Sequence, residues 1–111
     1  MAATAIEDKQ GRNVTLLDVS NLLGITDVFV IGSGTSHRQV RTLAQEVEGR
    51  LSAHGREPLH REGVEHARWV LLDYGDVVVH LFDDETRAYY DLERLWGDAP
   101  RLEWVPIASE A

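Results

Sequence analysis

The chain has no cysteine, a single methionine, a single lysine (Lys9) and three prolines, and none of its apolar runs exceeds four residues. Lack of cysteine excludes disulfides, thiolate metal sites and thiol nucleophiles, and is compatible with a reducing compartment. Short apolar runs exclude a spanning helix, which needs about 20 apolar residues. The opening MAATAIEDKQGR has no apolar stretch of the kind that exports a protein, so a cytoplasmic location and no membrane partner are expected. Basic residues are also in deficit: 11 Lys and Arg face 19 Asp and Glu, a formal charge of −8. Such a field opposes a phosphate backbone and favours encounter with a basic protein, so a dominant direct nucleic-acid contact is not expected.

What is present is enough for one core. The 111 residues fit a single domain, with a core over 14–97 and a C-terminal tail over 98–111. Residues Ala2 to Gln10 hold only Ile6 as a large apolar side chain and predict at most a short, frayed helix ended by Gly11. Val14 to Val19 reads as a strand, and Asp27 to Gly32 as a strand buried on both faces. Gly32 to Thr35 reads as a turn, followed by a helix that Ser36 and Gln39 start as a capping box. Along that helix Val40, Leu43, Ala44, Val47 and Leu51 form one apolar stripe, and Gly55 closes it. Pro58 marks Glu57 to Arg61 as an edge segment, and the strand–helix–strand order predicts a crossover between parallel strands.

The densest signal is WVLLDYGDVVVHLF, from Trp69 to Phe82. Two β-branched runs around Gly75 and Asp76 predict a tight hairpin with a two-residue turn. Counting outward pairs Tyr74 with Val77, Leu72 with Val79 and Val70 with Leu81 on an aliphatic face. Asp73 with Val78, Leu71 with His80 and Trp69 with Phe82 form the other face, whose mixed chemistry suits docking better than a dry core. Asp83 or Asp84 then caps a last helix with Ala88, Tyr89, Leu92, Leu95 and Trp96 inward, Arg87, Tyr90 and Arg94 outward, and Gly97 at its end. These elements add up to an α/β domain, a mixed sheet of about five strands with helices packed on it.

Chemistry is harder to place. GSGTS at Gly32 to Ser36 could cradle a phosphate at a helix start, which would make the chain a small nucleotide- or phosphate-binding enzyme, but it lacks the Walker lysine and the dinucleotide spacing. The acids nearest downstream, Glu46 and Glu48, lie on different helix faces and form no metal pair. The five histidines include no HExxH, and His80, interrupting an apolar strand, is expected to be satisfied by Asp73 on the diagonal. Ser33, Ser36, Asp73 and His80 lack the elbow of a hydrolase triad. No catalytic, cofactor-binding or metal-binding residue is therefore assigned. The aromatic and arginine content around the hairpin and last helix marks an interaction surface instead.

With the hairpin, AYYDLERLWGDAP and ITDVFVIGSGTSHRQV in hand, the chain resembles the ribosomal silencing factor, or Iojap-like, family from about Val14 to Pro100. The resemblance implies a nucleotidyltransferase-like fold without the catalytic acids, and no enzyme activity. It implies binding to the large ribosomal subunit through its basic ribosomal protein number fourteen at the intersubunit face, blocking subunit joining and repressing translation. By similarity the docking residues are Trp69, Asp73, Asp76, Tyr90, Glu93 and Leu95. Relatives generally carry a longer helix before the first strand. A short one here would weaken packing in a possible homodimer.

Overall fold

The structure, a computed structural model, describes residues 2–20, 26–95 and 100–102, with the side chains of Glu93, Leu95 and Arg101 outside the description. In chain order the elements are α1 (Ala2–Asp8), β1 (Arg12–Asp18), β2 (Val28–Gly34), α2 (His37–Ala53), β3 (His60–Glu62), β4 (Trp69–Asp73), β5 (Val77–Asp83), α3 (Asp84–Tyr90), α4 (Leu92–Leu95) and β6 (Arg101–Leu102). Among the described residues the strands form one sheet in the order β3-β4-β5-β2-β1-β6, in which only β2 and β5 pair in parallel. The sheet is mixed, as expected: five strands of three or more residues and the two-residue β6.

The hairpin has the expected register at every pair from Trp69 with Phe82 to Asp73 with Val78. Gly75 takes φ +88°, open to glycine at no steric cost, and Tyr74 N–H donates to the Val77 carbonyl at 2.8 Å to close the turn. Alternation then assigns the faces. Val70, Leu72, Tyr74, Val79 and Leu81 pack under α1 and α2 in the main core, with Val40, Leu43, Ala44 and Val47 from the α2 stripe. On the opposite face Leu17, Phe29, Ile31, Val78, Phe82 and Leu92 make a second, smaller core.

Several boundaries differ from the sequence reading, each for a physical reason. Helix α1 is short but firmly docked: Ala2, Ala3, Ala5 and Ile6 are buried, because small side chains let it lie close to the sheet. Ile6 sits where a Cβ on Gly32 would approach it at 2.9 Å. Gly32 to Gly34 belong to β2 rather than to a turn, since they continue the parallel ladder opposite Leu81, Phe82 and Asp83. Ser36 Oγ caps α2 by accepting from Gln39 N–H at 3.1 Å, while Gln39 Oε1 accepts from Thr35 N–H, one residue earlier than a standard box. Segment β3 is indeed at the sheet edge and runs in the direction of β2, but β4 and β5 lie between the two strands.

The last helix departs most. Asp83 caps it, accepting from Thr86 N–H at 2.7 Å, yet Asp91 at φ +47° breaks it into α3 and α4. The break rotates the faces: Ala88 and Tyr89 point outward, whereas Arg87 is buried. Leu92 remains buried, and Trp96 and Gly97 lie outside the described residues.

Candidate docking face

The second face of the hairpin presents a continuous row of rings. Trp69 stacks on Phe82 with centroids 5.0 Å apart and touches Tyr90 at 4.8 Å, and Tyr90 meets Tyr89 edge-on at 5.1 Å. Deeper in, His80 lies 5.9 Å from Trp69 and 4.6 Å from Phe29. Cross-strand pairing sets the inner part of this row, and α3 swings the two tyrosines over its outer end. Phe82 is buried and Trp69 half-buried, but Tyr89 is 81% exposed and Tyr90 49%.

His80 is not satisfied by Asp73. The Trp69 indole N–H donates to His80 Nδ1 at 3.1 Å, and an indole nitrogen only donates, so Nδ1 is unprotonated and the ring proton sits on Nε2. That second nitrogen is buried without a hydrogen-bond partner among the described residues, and burial pushes the His80 pKa down to about 4. Asp73 is used instead by the turn, accepting from Gly75 N–H at 2.8 Å. The hydrolase constellation therefore does not assemble. Ser33 Oγ donates to the Arg12 carbonyl at 3.3 Å and receives a bond from Arg87, while His80 and Asp73 each serve other partners.

Two concavities lie along this face, of which the first is lined by Trp69. This one, about 530 Å³, lies between the start of β4 and α3 and is walled by Trp69, Tyr89, Tyr90, Glu85 and Arg68. The His37 Nε2–Asp83 Oδ2 pair, at 2.9 Å, lines its floor. Burial works to raise the Asp83 pKa, but hydrogen bonds from Thr86 and His37 outweigh it and hold the carboxyl below its ordinary value. The other concavity, about 360 Å³, is mainly apolar, with Phe29, Leu71 and Val78 beside His80 and Asp73 at its rim.

At the far end of the hairpin, Asp76 is half-exposed and holds Arg56 in an ion pair, whose guanidinium keeps the Asp76 carboxyl below the usual range. Trp69 and the turn are separated by five residue steps, about 17 Å at the strand rise. Trp69, Asp73 and Tyr90 thus share one side of the hairpin, whereas Asp76, at the turn, reaches Arg56, whose guanidinium lies over the Tyr74 ring of the other side. Glu93 and Leu95 fall on α4, but their side chains lie outside the described residues. Sequence periodicity placed Tyr89 inward, because it carried one helix through Asp91.

The GSGTS segment offers no free anion cradle. Its first three residues pair in the ladder, Thr35 N–H is taken by Gln39, and Asp83, Asp84 and Glu85 line the adjoining hollow, a charge arrangement hostile to phosphate. Among the described residues there is no cluster of three or more His, Asp or Glu side chains that could hold a metal, and no helix long and apolar enough to cross a membrane.

Comparison with known proteins gives one consistent answer. Residues 1–111 match the family described as ribosomal silencing factor during starvation. The chain is 46% identical over 109 residues to the ribosomal silencing factor RsfS of Halalkalibacterium halodurans, covering 98% of this chain and 93% of that one. More distantly, it is 31% identical to a Mus musculus protein named mitochondrial assembly of ribosomal large subunit protein 1, covering 86% of this chain and 43% of that one. A crystal structure of a Chromobacterium violaceum protein superposes with a TM-score of 0.84 at 42% identity, covering 86% of this chain and 80% of that chain.

Proposed function

Because this chain belongs to the ribosomal silencing factor family, we propose that it represses translation by docking on the large ribosomal subunit and obstructing the small one. The seat is a basic ribosomal protein, number fourteen of that subunit, on the intersubunit face. The name of the mouse relative points to the same subunit. The observation that carries the reading is the exposed aromatic row from Trp69 to Tyr89, set beside carboxylates on a chain of charge −8. Exposed aromatic side chains are costly to leave in water and are the usual anchors of protein interfaces. A standard interface buries about 800 Å² per partner, a patch roughly 30 Å across, which accommodates the hairpin from Trp69 to Asp76.

No bond need be made or broken. The radius of gyration is 13.0 Å and the described body measures 30 × 30 × 28 Å, as chain length predicts. An object of that size on a close contact surface excludes the opposing subunit by volume alone. Trp69 and Tyr90 anchor it, Asp73 contributes charge at the rim, and Asp76 acts through Arg56 by fixing the turn. Glu93 and Leu95, on α4, belong to the same proposed set by similarity.

The test is subunit joining followed on a density gradient with purified subunits, comparing wild type with Trp69→Ala and Asp76→Arg, each checked for folding by circular dichroism. Wild type should co-migrate with the large subunit and suppress joining, and the folded variants should lose at least tenfold in potency. Undiminished joining with every large subunit occupied would end the steric reading.

A further inference from the structure

The cleft between β4 and α3 has a chemistry the docking reading alone does not use. Tyr89 and Tyr90 stand edge-on to each other at 81° with Trp69 beside them, so three π-faces or edges border one hollow. Of the three acids that open α3, Asp83 is paired with His37 and Asp84 lies 3.6 Å from Arg12. Glu85 has no ion-pair partner among the described residues, is exposed, and lines the same hollow.

We propose that this cleft receives an arginine side chain of the basic protein partner, its guanidinium lying against the tyrosine and tryptophan rings and its N–H groups donating to the Glu85 carboxylate. The proposal rests on the docking reading and names the group that fills one part of it. Charge complementarity selects a cation, since two carboxylates, Asp83 and Glu85, line the cleft against one guanidinium, that of Arg68. The rings select guanidinium over ammonium, because a planar, weakly hydrated cation stacks on an aromatic face while a strongly hydrated point charge does not. Arg68, on the rim of the cleft, offsets one of these two carboxylates, so the ring contacts are what discriminate among cations.

The experiment measures the dissociation constant of labelled protein for purified large subunits, using wild type, Tyr89→Ala, Tyr89→Phe, Glu85→Lys and Glu7→Lys. Tyr89 and Glu85 are exposed, so their variants should fold, which circular dichroism and thermal melting verify. Tyr89→Ala and Glu85→Lys should each weaken binding about tenfold, and Tyr89→Phe, which keeps the ring, by no more than about twofold. Glu7 is exposed on α1, across the sheet; its reversal changes net charge equally and should leave binding within twofold. If wild type binds but Tyr89→Ala and Glu85→Lys bind equally well, the arginine cleft is overturned and the docking reading stands. Equal weakening by Glu7→Lys and Glu85→Lys would assign the effect to the overall field and overturn the cleft. Tighter binding by Glu85→Lys would mean that the cleft meets phosphate, which also overturns it. Failure of wild type to bind large subunits would instead remove the docking reading itself.

Discussion

His80 shows how one side chain joins stability to the proposed docking face. It is 5% exposed, accepts the Trp69 N–H, and has a pKa near 4 because burial disfavours its charged form. An unfolded histidine titrates near 6.5, so between pH 6.5 and 4 the unfolded chain binds a proton that the native state refuses. Stability is therefore unaffected by His80 above pH 6.5 and falls as pH drops through that window, by about 3 kcal/mol in full and about 2 kcal/mol by pH 5. Asp83, lowered from 3.8, adds a loss of the same sign only at more acidic pH. Urea denaturation at pH 7.5 and 5 should show the drop. His80→Gln, which keeps an acceptor for Trp69 but does not titrate, should abolish most of it, and an unchanged profile in that variant would remove His80 as the source. The sequence exposed His80 as an anomaly in an apolar strand. It did not disclose the partner, because a diagonal carboxylate and a cross-strand indole are equally within reach until side-chain directions are known.

At the scale of elements, the backbone positions that matter are those that seat β4. Gly63 has φ +78°, and a Cβ there would lie 2.0 Å from the Trp69 carbonyl oxygen, a backbone atom that cannot step aside. Gly63→Ala should cost more than about 2 kcal/mol and displace the strand that carries Trp69. Gly49 is the counterexample: it lies in α2 with open space around its Cα, so Gly49→Ala should stabilise by up to about 1 kcal/mol through helix propensity. Chemical denaturation of both variants checks the pair, and equal effects would contradict the geometry. The same contrast explains what could be read in advance. The hairpin was legible to the residue, since a turn glycine between alternating β-branched runs admits one register, and the α2 stripe was legible because its period repeats over about three turns. The α3–α4 break was not. It depends on Asp91 adopting a left-handed conformation, which aspartate tolerates without requiring, and on Arg87 being buried. There Arg87 donates to Ser33 Oγ and Thr15 Oγ1, polar partners 54 and 72 residues away in sequence.

For the molecule as a whole, net charge separates the proposed protein partner from the RNA around it. A body of charge −8 is repelled by the RNA of a ribosomal subunit and attracted by a basic protein set into it, and salt screens both. A protein that grips RNA through 6–10 phosphates loses about 10³ to 10⁵ in affinity between 50 and 200 mM salt, because binding releases condensed counterions. Docking through an aromatic row and a few ion pairs releases almost none. Its stacking contacts are indifferent to salt, and screening the long-range repulsion partly restores whatever the ion pairs lose. The dissociation constant for large subunits, measured at fixed magnesium over that same salt range, should therefore change by less than about tenfold. A fall of a thousandfold would place the contact on the phosphate backbone and leave the aromatic row without its partner.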